Sequence, residues 1–542
     1  MIGKRRILRR ALASALALAL GAPLVPAAAT AQETPIPKVV TADSRHALLV
    51  DGEPFLVIGA QAHNSSAWPA MLPKVWPAMD YLGVNTVELP VYWEQIEPAP
   101  GRFDFKVVDT LIQQAREHRV RLVLLWFGTW KNGSAHYRPV WMKQQPAKYP
   151  NIIGRQGQPV DSPSPHAKAA LDADIRAFSA FMAHLKQVDP QRTVIMVQVQ
   201  NEPGSWGSIR DFSPASEKEF AKPVPPALLR AMERPAAPGG NWRTVFGLDA
   251  DEYFHAWSVA RYIDQVAAAG KAIYPLPLYV NVALKDPFQK GPEPAYEFGG
   301  PTHNVIPIWK AAAPSIDLFA PDIYQPDTKR YLAVLDQYAR ADNALFVPET
   351  IGTPDYVRFF YAALGKGAIG FAPFGIDYSI YSADAAGQPR TREADLEQLA
   401  LSYRAIGPMS RDVARWAREG KLRAAVEDET KAPGSLDLGR WIAEVRYGVA
   451  PRGEGKGNER PIGRVLVALL GPDEFMVTGN YASVHFKPKR GGSTAWEFLS
   501  VEEGQFVDGT FRSTRIWNGD ETDWGLNFSS APQVLRVRLS IR

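Results

Sequence analysis

The sequence alternates between short apolar runs and longer amphipathic runs from residue 54 to residue 405. Continuous apolar runs rich in Val, Ile, Leu and Phe are typical of parallel strands that are buried on both faces. Each is followed by a run with the helical period, which can cover it. The eight strands are predicted at Pro54–Gly59, Asn85–Val91, Val120–Trp126, Thr193–Val199, Pro277–Ala283, Ile316–Ala320, Ala344–Val347 and Ala368–Phe371. Eight β/α units in succession predict an α/β fold, the closed (β/α)8 or TIM barrel.

The chain changes character beyond about residue 410. Short segments such as Trp441–Tyr447 and Arg464–Leu470 often alternate in polarity and are separated by Gly, Pro, Asp or Asn. This pattern predicts a smaller antiparallel β domain, a sandwich. We therefore expect three parts: a secretory signal peptide (1–31), the barrel with a short N-terminal β lead-in (32–408) and the C-terminal β-sandwich (409–542).

The signal peptide is predicted from its charge and its apolar run. Lys4 and four arginines precede the apolar segment Ala11–Leu20, and Ala29-Thr30-Ala31 has the small residues of a cleavage site. The pattern predicts an exported bacterial protein, periplasmic or secreted, and leaves the Sec and twin-arginine routes open. We expect no membrane association after the signal is cleaved.

Charge and cysteine content exclude several classes of function. The formal net charge of the whole chain is +4, and residues 1–31 carry five positive and no acidic side chains. The net charge of the chain after residue 31 is therefore near −1. A nucleic-acid partner therefore has no electrostatic support. The chain has no cysteine, which excludes disulfides, thiolate metal sites and cysteine catalysis.

Two glutamates follow predicted strands of the barrel. Glu202 lies at the end of the fourth strand, in Gln200-Asn201-Glu202-Pro203, and Glu349 lies at the end of the seventh. In a closed barrel of this kind the carboxyl ends of the strands form the functional face. A pair of carboxyl groups there is the requirement for hydrolysis of a glycosidic bond, which needs no cofactor. Each glutamate alone is more often a helix-start or loop charge, but the pair favours catalysis.

Further residues at the strand ends are candidates for substrate binding. Asn201 can hydrogen-bond a sugar hydroxyl, and Tyr324 can orient the Glu349 carboxylate. Aromatic faces can pack on pyranose C–H groups, although plain core packing is the alternative for each tryptophan. The expected substrate-binding set is Asn201, Tyr324, His63, Trp126, Trp130, Trp206 and Glu94. For His63 and Glu94, structural roles in the barrel remain the alternative.

A metal site and a cofactor site are not expected. The nine histidines are scattered, without a His-Glu-x-x-His motif or a close pair. The stretch Gly365–Gly370 matches a dinucleotide-binding glycine pattern, but it follows a helix and opens a strand, which is the wrong context. The Gly-x-Ser-x-Gly motif of serine hydrolases is absent.

Three stretches carry a resemblance to a known family. They are Leu82–Glu88 running into Tyr92-Trp93-Glu94, then Gly101-Arg102-Phe103-Asp104-Phe105, and then Gln198–Glu202. The chain resembles the β-galactosidases of glycoside hydrolase family 35, over about residues 45–400. The resemblance implies a retaining mechanism with Glu202 as acid/base, Glu349 as nucleophile and Asn201 on the sugar 2-hydroxyl.

The chain also departs from the family pattern. Pro90 and Pro203 stand where the family commonly has Tyr, and Trp126–Trp130 replaces a Cys-Ala-Glu-Trp type sequence. Family 42 β-galactosidases therefore remain possible relatives. We expect a retaining exo-β-galactosidase acting on plant oligo- or polysaccharide side chains, with xyloglucan as one candidate. Two alternatives stay open: another exo-glycosidase of this clan, namely a β-glucosidase, α-L-arabinofuranosidase or β-mannosidase, and a non-catalytic carbohydrate-binding protein.

Overall fold

The structure, a computed structural model, describes residues 34–235, 239–293, 295–379, 393–448, 457–489 and 495–541. The predicted signal peptide, residues 1–31, lies outside these ranges. Within them, no helix combines the length and the hydropathy that crossing a bilayer requires.

Eight parallel strands form the barrel. They are β1 (Val57–Gln61), β2 (Thr86–Tyr92), β3 (Arg121–Lys131), β4 (Val194–Asn201), β5 (Leu278–Ala283), β6 (Leu318–Ile323), β7 (Phe346–Val347 and Glu349–Thr350) and β8 (Gly370–Phe371). Pro348 divides β7 into two halves because it has no N–H to donate to the sheet. The first half pairs with β8 and the second with β6, while β8 also pairs with β1, so the sheet closes on itself.

A helix follows each strand and covers the outside of the barrel. The helices are α1 (Leu72–Leu82), α2 (Lys106–Glu117), α3 (Lys168–Val188), α4 (Ala250–Ile273), α5 (Ile306–Ala312), α6 (Thr328–Tyr338), α7 (Val357–Gly365) and α8 (Glu393–Ile406). Apolar side chains of the strands and of the inner helix faces form one continuous core. This arrangement confirms the predicted (β/α)8 barrel.

The prediction for the first strand was wrong in its boundaries. Pro54 belongs to a separate antiparallel sheet of three strands, Lys38–Ala42, Arg45–Val50 and Glu53–Phe55. Glu53–Phe55 is an edge strand of that sheet, where a proline is tolerated because one side of the strand is unpaired. The barrel strand then begins at Val57. The third strand is longer than expected and continues beyond Trp126 to Lys131.

The loops on the carboxyl side of the strands contain short elements of their own. They comprise a hairpin, Asn151–Ile153 and Pro159–Pro163, the helices Trp93–Ile96, Val140–Lys143, Pro214–Phe220, Pro226–Ala231 and Trp242–Phe246, and the 3-10 turn Gly247–Asp249. Four of these elements lie between β4 and α4, so the segment after Glu202 is the most elaborate of the barrel.

The C-terminal part contains two antiparallel sheets. One has six strands, Leu422–Val426, Arg464–Gly471, Glu474–Asn480, Gln533–Ile541, Trp496–Val507 and Thr510–Ile516, and the other has four, Gly434–Leu438, Trp441–Tyr447, Ala482–Pro488 and Leu526–Phe528. Buried side chains from both sheets share one core, which confirms the predicted sandwich. Short helical elements also occur: the 3-10 turn Gly407–Met409 and the helix Ser410–Arg418 before the first of these strands, and the 3-10 turn Gly519–Glu521 later.

The six-stranded sheet packs against the barrel. Leu422, Leu466 and Met476 belong to the same apolar core as the barrel helices. The Tyr361 hydroxyl of α7 donates to Asn480 Oδ1 at 3.3 Å, and buried Arg464 donates to Ser402 Oγ of α8 at 3.1 Å. The sandwich thus rests on helices α7 and α8.

Candidate active site

Three carboxyl groups meet at the carboxyl end of the barrel. Glu202 follows β4, Asp322 lies in β6, and Glu349 begins the second half of β7. One oxygen from each of the three lies within 4.8 Å of the others, and all three side chains are buried. The two glutamates expected to act together from their positions after β4 and β7 are therefore neighbours.

Amide and hydroxyl donors surround the Glu349 carboxylate. Its Oε1 accepts hydrogen bonds from Gln61 Nε2 at 3.0 Å and from Asn201 Nδ2 at 3.4 Å. Its Oε2 accepts from the Tyr324 hydroxyl at 2.8 Å. These donors fix the carboxylate in one orientation and complement its negative charge. Tyr324 is 39% exposed, so it also reaches the open side of the site.

Asn281 connects the backbone of one glutamate to the other two carboxyl groups. Its Oδ1 accepts the backbone N–H of Glu202 at 2.8 Å, and its Nδ2 donates to Asp322 Oδ2 at 2.7 Å. The same Nδ2 lies 3.5 Å from Glu349 Oε1. One amide on β5 therefore positions the ends of β4, β6 and β7.

The end of β4 has an unusual backbone. Gln200 and Glu202 have φ angles of 66° and 41°, in the left-handed region that few non-glycine residues adopt. Opposite this point β3 bulges, because Trp126 pairs with Val199 while Lys131 pairs with Asn201. Such conformations persist only where surrounding bonds enforce them, and they concentrate at functional sites.

Burial and mutual repulsion shift the acidity of the three carboxyl groups. Burial, followed by the charge of Glu349, raises the pKa of Glu202 to about 7, while Lys131 acts in the opposite direction. Burial and the charges of Glu349 and Glu202 hold the pKa of Asp322 well above its usual range. Glu202 can therefore carry a proton near neutral pH, as a general acid must.

Asp174 on α3 anchors the bulge in β3 and holds the Trp126 side chain in its buried position. Its carboxylate accepts hydrogen bonds from Trp126 Nε1 at 3.0 Å, Thr129 Oγ1 at 2.7 Å and Gln200 Nε2 at 2.7 Å. Burial raises the pKa of Asp174 to about 6 in spite of these donors. The Trp126 ring stacks on Phe181 of α3 and is fully buried between strand and helix.

Trp130 is likewise part of the layer between the strands and the helices. Its ring meets Tyr262 of α4 edge to face, with centroids 4.8 Å apart, and it has no exposed surface. A sugar cannot pack on an inaccessible ring, so the prediction that Trp126 and Trp130 bind substrate is wrong. The bulge in β3 sets the directions of these two side chains, and simple strand alternation did not indicate it.

The other predicted binding residues lie in different surroundings. Trp206 is half exposed, and His63 is 8% exposed, with Nδ1 3.0 Å from Asp377 Oδ2. Glu94 forms an ion pair with Lys143 at 3.0 Å and is outside the hydrogen-bond network of the two glutamates. Direct contacts of Trp206, His63 and Glu94 with a substrate stay predictions.

Sequence reasoning missed several residues of the site. It gave no role to Gln61, Asn281 or Asp322, although all three lie at the ends of predicted strands, which was the available signal. It also missed Lys131, which the unexpected length of β3 brings to the site, and Glu297, which lies in a loop without a strand pattern.

Within the described ranges, the carboxyl groups of Glu202, Asp322 and Glu349 form the one cluster of potential metal ligands close enough together to hold a cation. Oxygen ligands of this type suit Mg²⁺ or Ca²⁺. However, Gln61, Asn201 and Tyr324 already donate hydrogen bonds to the Glu349 carboxylate. The Asn281 amide likewise donates to the Asp322 carboxylate. The donor set is that of an organic ligand site, and we assign no metal to it.

Comparison with known proteins shows which families the chain is similar to in sequence. Residues 64–267 match the family 42 glycoside hydrolase model, described as β-galactosidase, and residues 399–529 match a domain of unknown function, DUF5597. A β-galactosidase of Xanthomonas manihotis is 30% identical over 224 residues, which cover 38% of this chain and 33% of that protein. The chain thus matches about a third of the length of this curated relative.

Glycosidases are among the solved structures that the chain matches. A β-galactosidase from Bacillus circulans sp. alkalophilus matches with a TM-score of 0.48 and 14% identity, covering 66% of this chain and 57% of that one. The exo-β-1,4-mannosidase Op5Man5 from Opitutaceae bacterium strain TAV5 matches with a TM-score of 0.40 and 15% identity, covering 69% of this chain and 63% of that one. At the sequence level, the barrel is similar to β-galactosidases, and the matching family model is that of family 42.

Proposed function

We propose that the protein is a retaining exo-β-galactosidase in which Glu349 is the nucleophile and Glu202 is the acid/base. The observation that carries the proposal is the pair of buried glutamates at the carboxyl ends of β4 and β7, with carboxylate oxygens within 4.8 Å of each other. Retaining glycosidases have carboxyl groups about 5–5.5 Å apart, whereas inverting enzymes leave room for a water between them. The similarity of residues 64–267 to β-galactosidases supports the choice of sugar.

The proposed reaction has two steps. In the first, Glu349 attacks the anomeric carbon, the glycosidic bond breaks, and Glu202 gives its proton to the departing oxygen. In the second, the ionised Glu202 removes a proton from a water molecule, which attacks the anomeric carbon and releases Glu349. Tyr324 and Gln61 hold the nucleophile in place, and Asn201 contributes its amide beside the reacting carbon.

The finer assignments are part of the proposal. The motifs at Leu82–Glu88, Gly101–Phe105 and Gln198–Glu202 favour family 35 among the β-galactosidase families. We propose galactosides on plant oligo- or polysaccharide side chains, xyloglucan among them, as substrates of an exported enzyme. The exported location rests on the sequence pattern of residues 1–31.

Initial-rate hydrolysis of 4-nitrophenyl glycosides tests the proposal. The panel contains the β-D-galactoside, β-D-glucoside, β-D-mannoside, β-D-fucoside and α-L-arabinofuranoside, with wild-type protein and Glu202→Ala. We expect the galactoside to be preferred and its hydrolysis to be greatly reduced in the variant. Preference for another sugar would contradict the galactosidase assignment, and inactivity on the whole panel would favour a carbohydrate-binding role.

A further inference from the structure

Glu297 lies beside the acid/base although it comes from a different loop. The neighbouring residue, Phe298, pairs with Ser205 through two backbone hydrogen bonds of 2.8 and 3.1 Å. Ser205 is separated from Glu202 by only Pro203 and Gly204, so this pairing fixes Glu297 at the end of β4. The approach is close, because a Cβ atom at Gly204 would lie 3.0 Å from Glu297 Cγ.

The Glu297 carboxyl group is buried, and its hydrogen bonding is incomplete. The residue is 3% exposed, and apart from the Trp206 side chain neither carboxyl oxygen has a hydrogen-bond partner in the described part of the chain. A buried carboxyl group with so few partners is costly and calls for an explanation, such as a ligand that completes its bonds. Burial and the charge of Glu202 hold the pKa of Glu297 well above its usual range, so the group can donate as well as accept.

Trp206 provides an apolar face next to this carboxyl group. A Cβ atom at Gly133 would lie 2.5 Å from Glu297 Oε1 and 3.1 Å from Trp206 Cδ1, so both side chains flank the same glycine. The backbone N–H of Gly133 donates to the carbonyl oxygen of Glu202 at 3.0 Å. Trp206 is 50% exposed, which leaves ring surface accessible beside Glu202.

These residues lie on the Glu202 side of the site. The donors to Glu349 are Gln61, Asn201, Asn281 and Tyr324, and neither Glu297 nor Trp206 is among them. In the mechanism proposed above, the leaving group departs from the carbon attacked by Glu349 and takes its proton from Glu202. Glu297 and Trp206 are therefore on the side of the leaving group.

We propose that Trp206 and Glu297 form a binding site for a sugar as leaving group, with Trp206 packing on the pyranose ring and Glu297 binding its hydroxyl groups. This inference rests on the proposed function, because Glu202 as the acid defines the side of the leaving group. A pyranose combines an apolar C–H face with a rim of hydroxyls, which matches an exposed indole beside a carboxyl group in need of partners. An alkyl or unsubstituted aryl leaving group offers no hydroxyls to Glu297.

The test compares leaving groups with and without a sugar ring. We would measure kcat/KM for the best substrate among β-galactosyl disaccharides of different linkage, and for β-D-galactosyl azide, whose leaving group has no ring and needs little protonation. The proteins are wild type, Trp206→Ala, Glu297→Ala, Glu297→Gln and the control Trp524→Ala. Trp524 is a comparably exposed tryptophan in the C-terminal part, at 45%.

We expect the ratio of the two kcat/KM values, disaccharide over azide, to fall about tenfold in Trp206→Ala and in Glu297→Ala. Glu297→Gln should restore part of the loss because an amide still binds hydroxyls, and Trp524→Ala should keep the wild-type ratio. If both alanine variants keep the ratio within about twofold, or if wild type cleaves the azide but no disaccharide, this inference is overturned while the proposed function stands. If wild type cleaves neither the azide nor any disaccharide, the proposed function fails and the inference fails with it.

Discussion

The hydroxyl of Tyr324 donates a hydrogen bond of 2.8 Å to Oε2 of Glu349. Tyr324 directly follows β6, Glu349 lies in the adjacent β7, and the carbonyl oxygen of Tyr324 itself accepts the hydroxyl of Tyr356 at 2.7 Å. The hydrogen bond from Tyr356 therefore holds the backbone of Tyr324 while the Tyr324 hydroxyl orients the Glu349 carboxylate. In the proposed mechanism this bond directs the nucleophilic oxygen and must loosen as Glu349 forms its bond to the sugar.

Removal of this hydroxyl should mainly affect catalysis. We expect Tyr324→Phe to lower kcat about 10- to 100-fold, the range for a hydrogen bond to a charged group, with a smaller change in KM. Steady-state kinetics with 4-nitrophenyl β-D-galactoside measure both constants, and Tyr253→Phe on α4 is the control. A kcat equal to that of wild type would show that Tyr324 does not orient the nucleophile.

The raised pKa of Glu202 predicts an alkaline limb in the pH profile. Because the general acid must be protonated, kcat/KM should fall as the pH rises through about 7. Lys131 lowers the pKa of Glu202, so Lys131→Met should move this limb to higher pH. The exposed Lys366, paired with Asp336, offers a control variant, Lys366→Met. A limb that moves to lower pH in Lys131→Met would contradict the assignment of Glu202 as the acid.

The crowded carboxyl groups should also reduce stability at alkaline pH. The pKa of Glu202 is raised in the folded protein relative to its ordinary value of 4.5, so the folded state loses stability as the pH rises towards and through 7. Glu202→Gln removes this charge, and we expect its Tm to exceed that of wild type by about 2–4 °C at pH 8 and by much less at pH 5. Thermal unfolding at the two pH values measures the difference. A variant that is less stable than wild type at pH 8 would contradict this account.

Trp126 should contribute to stability rather than to substrate binding. Trp126→Phe loses the hydrogen bond to Asp174 and part of the packing against Phe181, which we expect to cost about 2–3 kcal/mol. Thermal unfolding should show a lower Tm, while KM for the galactoside stays close to that of wild type. A tenfold higher KM with unchanged Tm would restore Trp126 to the binding site.

The barrel and its two glutamates could be predicted from sequence because their signals are local. A buried parallel strand is a continuous apolar run, and the polar residues that follow it lie at the functional face, as Glu202 and Glu349 do. The same logic places Gln61, Asn281 and Asp322 at that face, but it does not say which of these amides and carboxyl groups touch each other.

Other parts of the site depend on contacts between residues far apart in sequence. The orientations of Trp126 and Trp130 follow from a bulge opposite Gln200 and from Asp174 on a helix, which no pattern within β3 reveals. His63 is held by Asp377, which lies 314 residues further along the chain. Glu297 reaches the site through a loop that pairs with Ser205, so neither strand nor helix periodicity could indicate it.

Trapping of the covalent intermediate tests the central claim most directly. A 2-deoxy-2-fluoro-β-D-galactoside with a good leaving group slows hydrolysis of the glycosyl-enzyme, and peptide mass mapping then locates the labelled residue. We expect time-dependent inactivation with one fluorogalactosyl group on Glu349 in wild type, and no label at that position in Glu349→Gln. A label on another residue, or active enzyme that is never labelled, would contradict the assignment of Glu349 as the nucleophile of a retaining β-galactosidase.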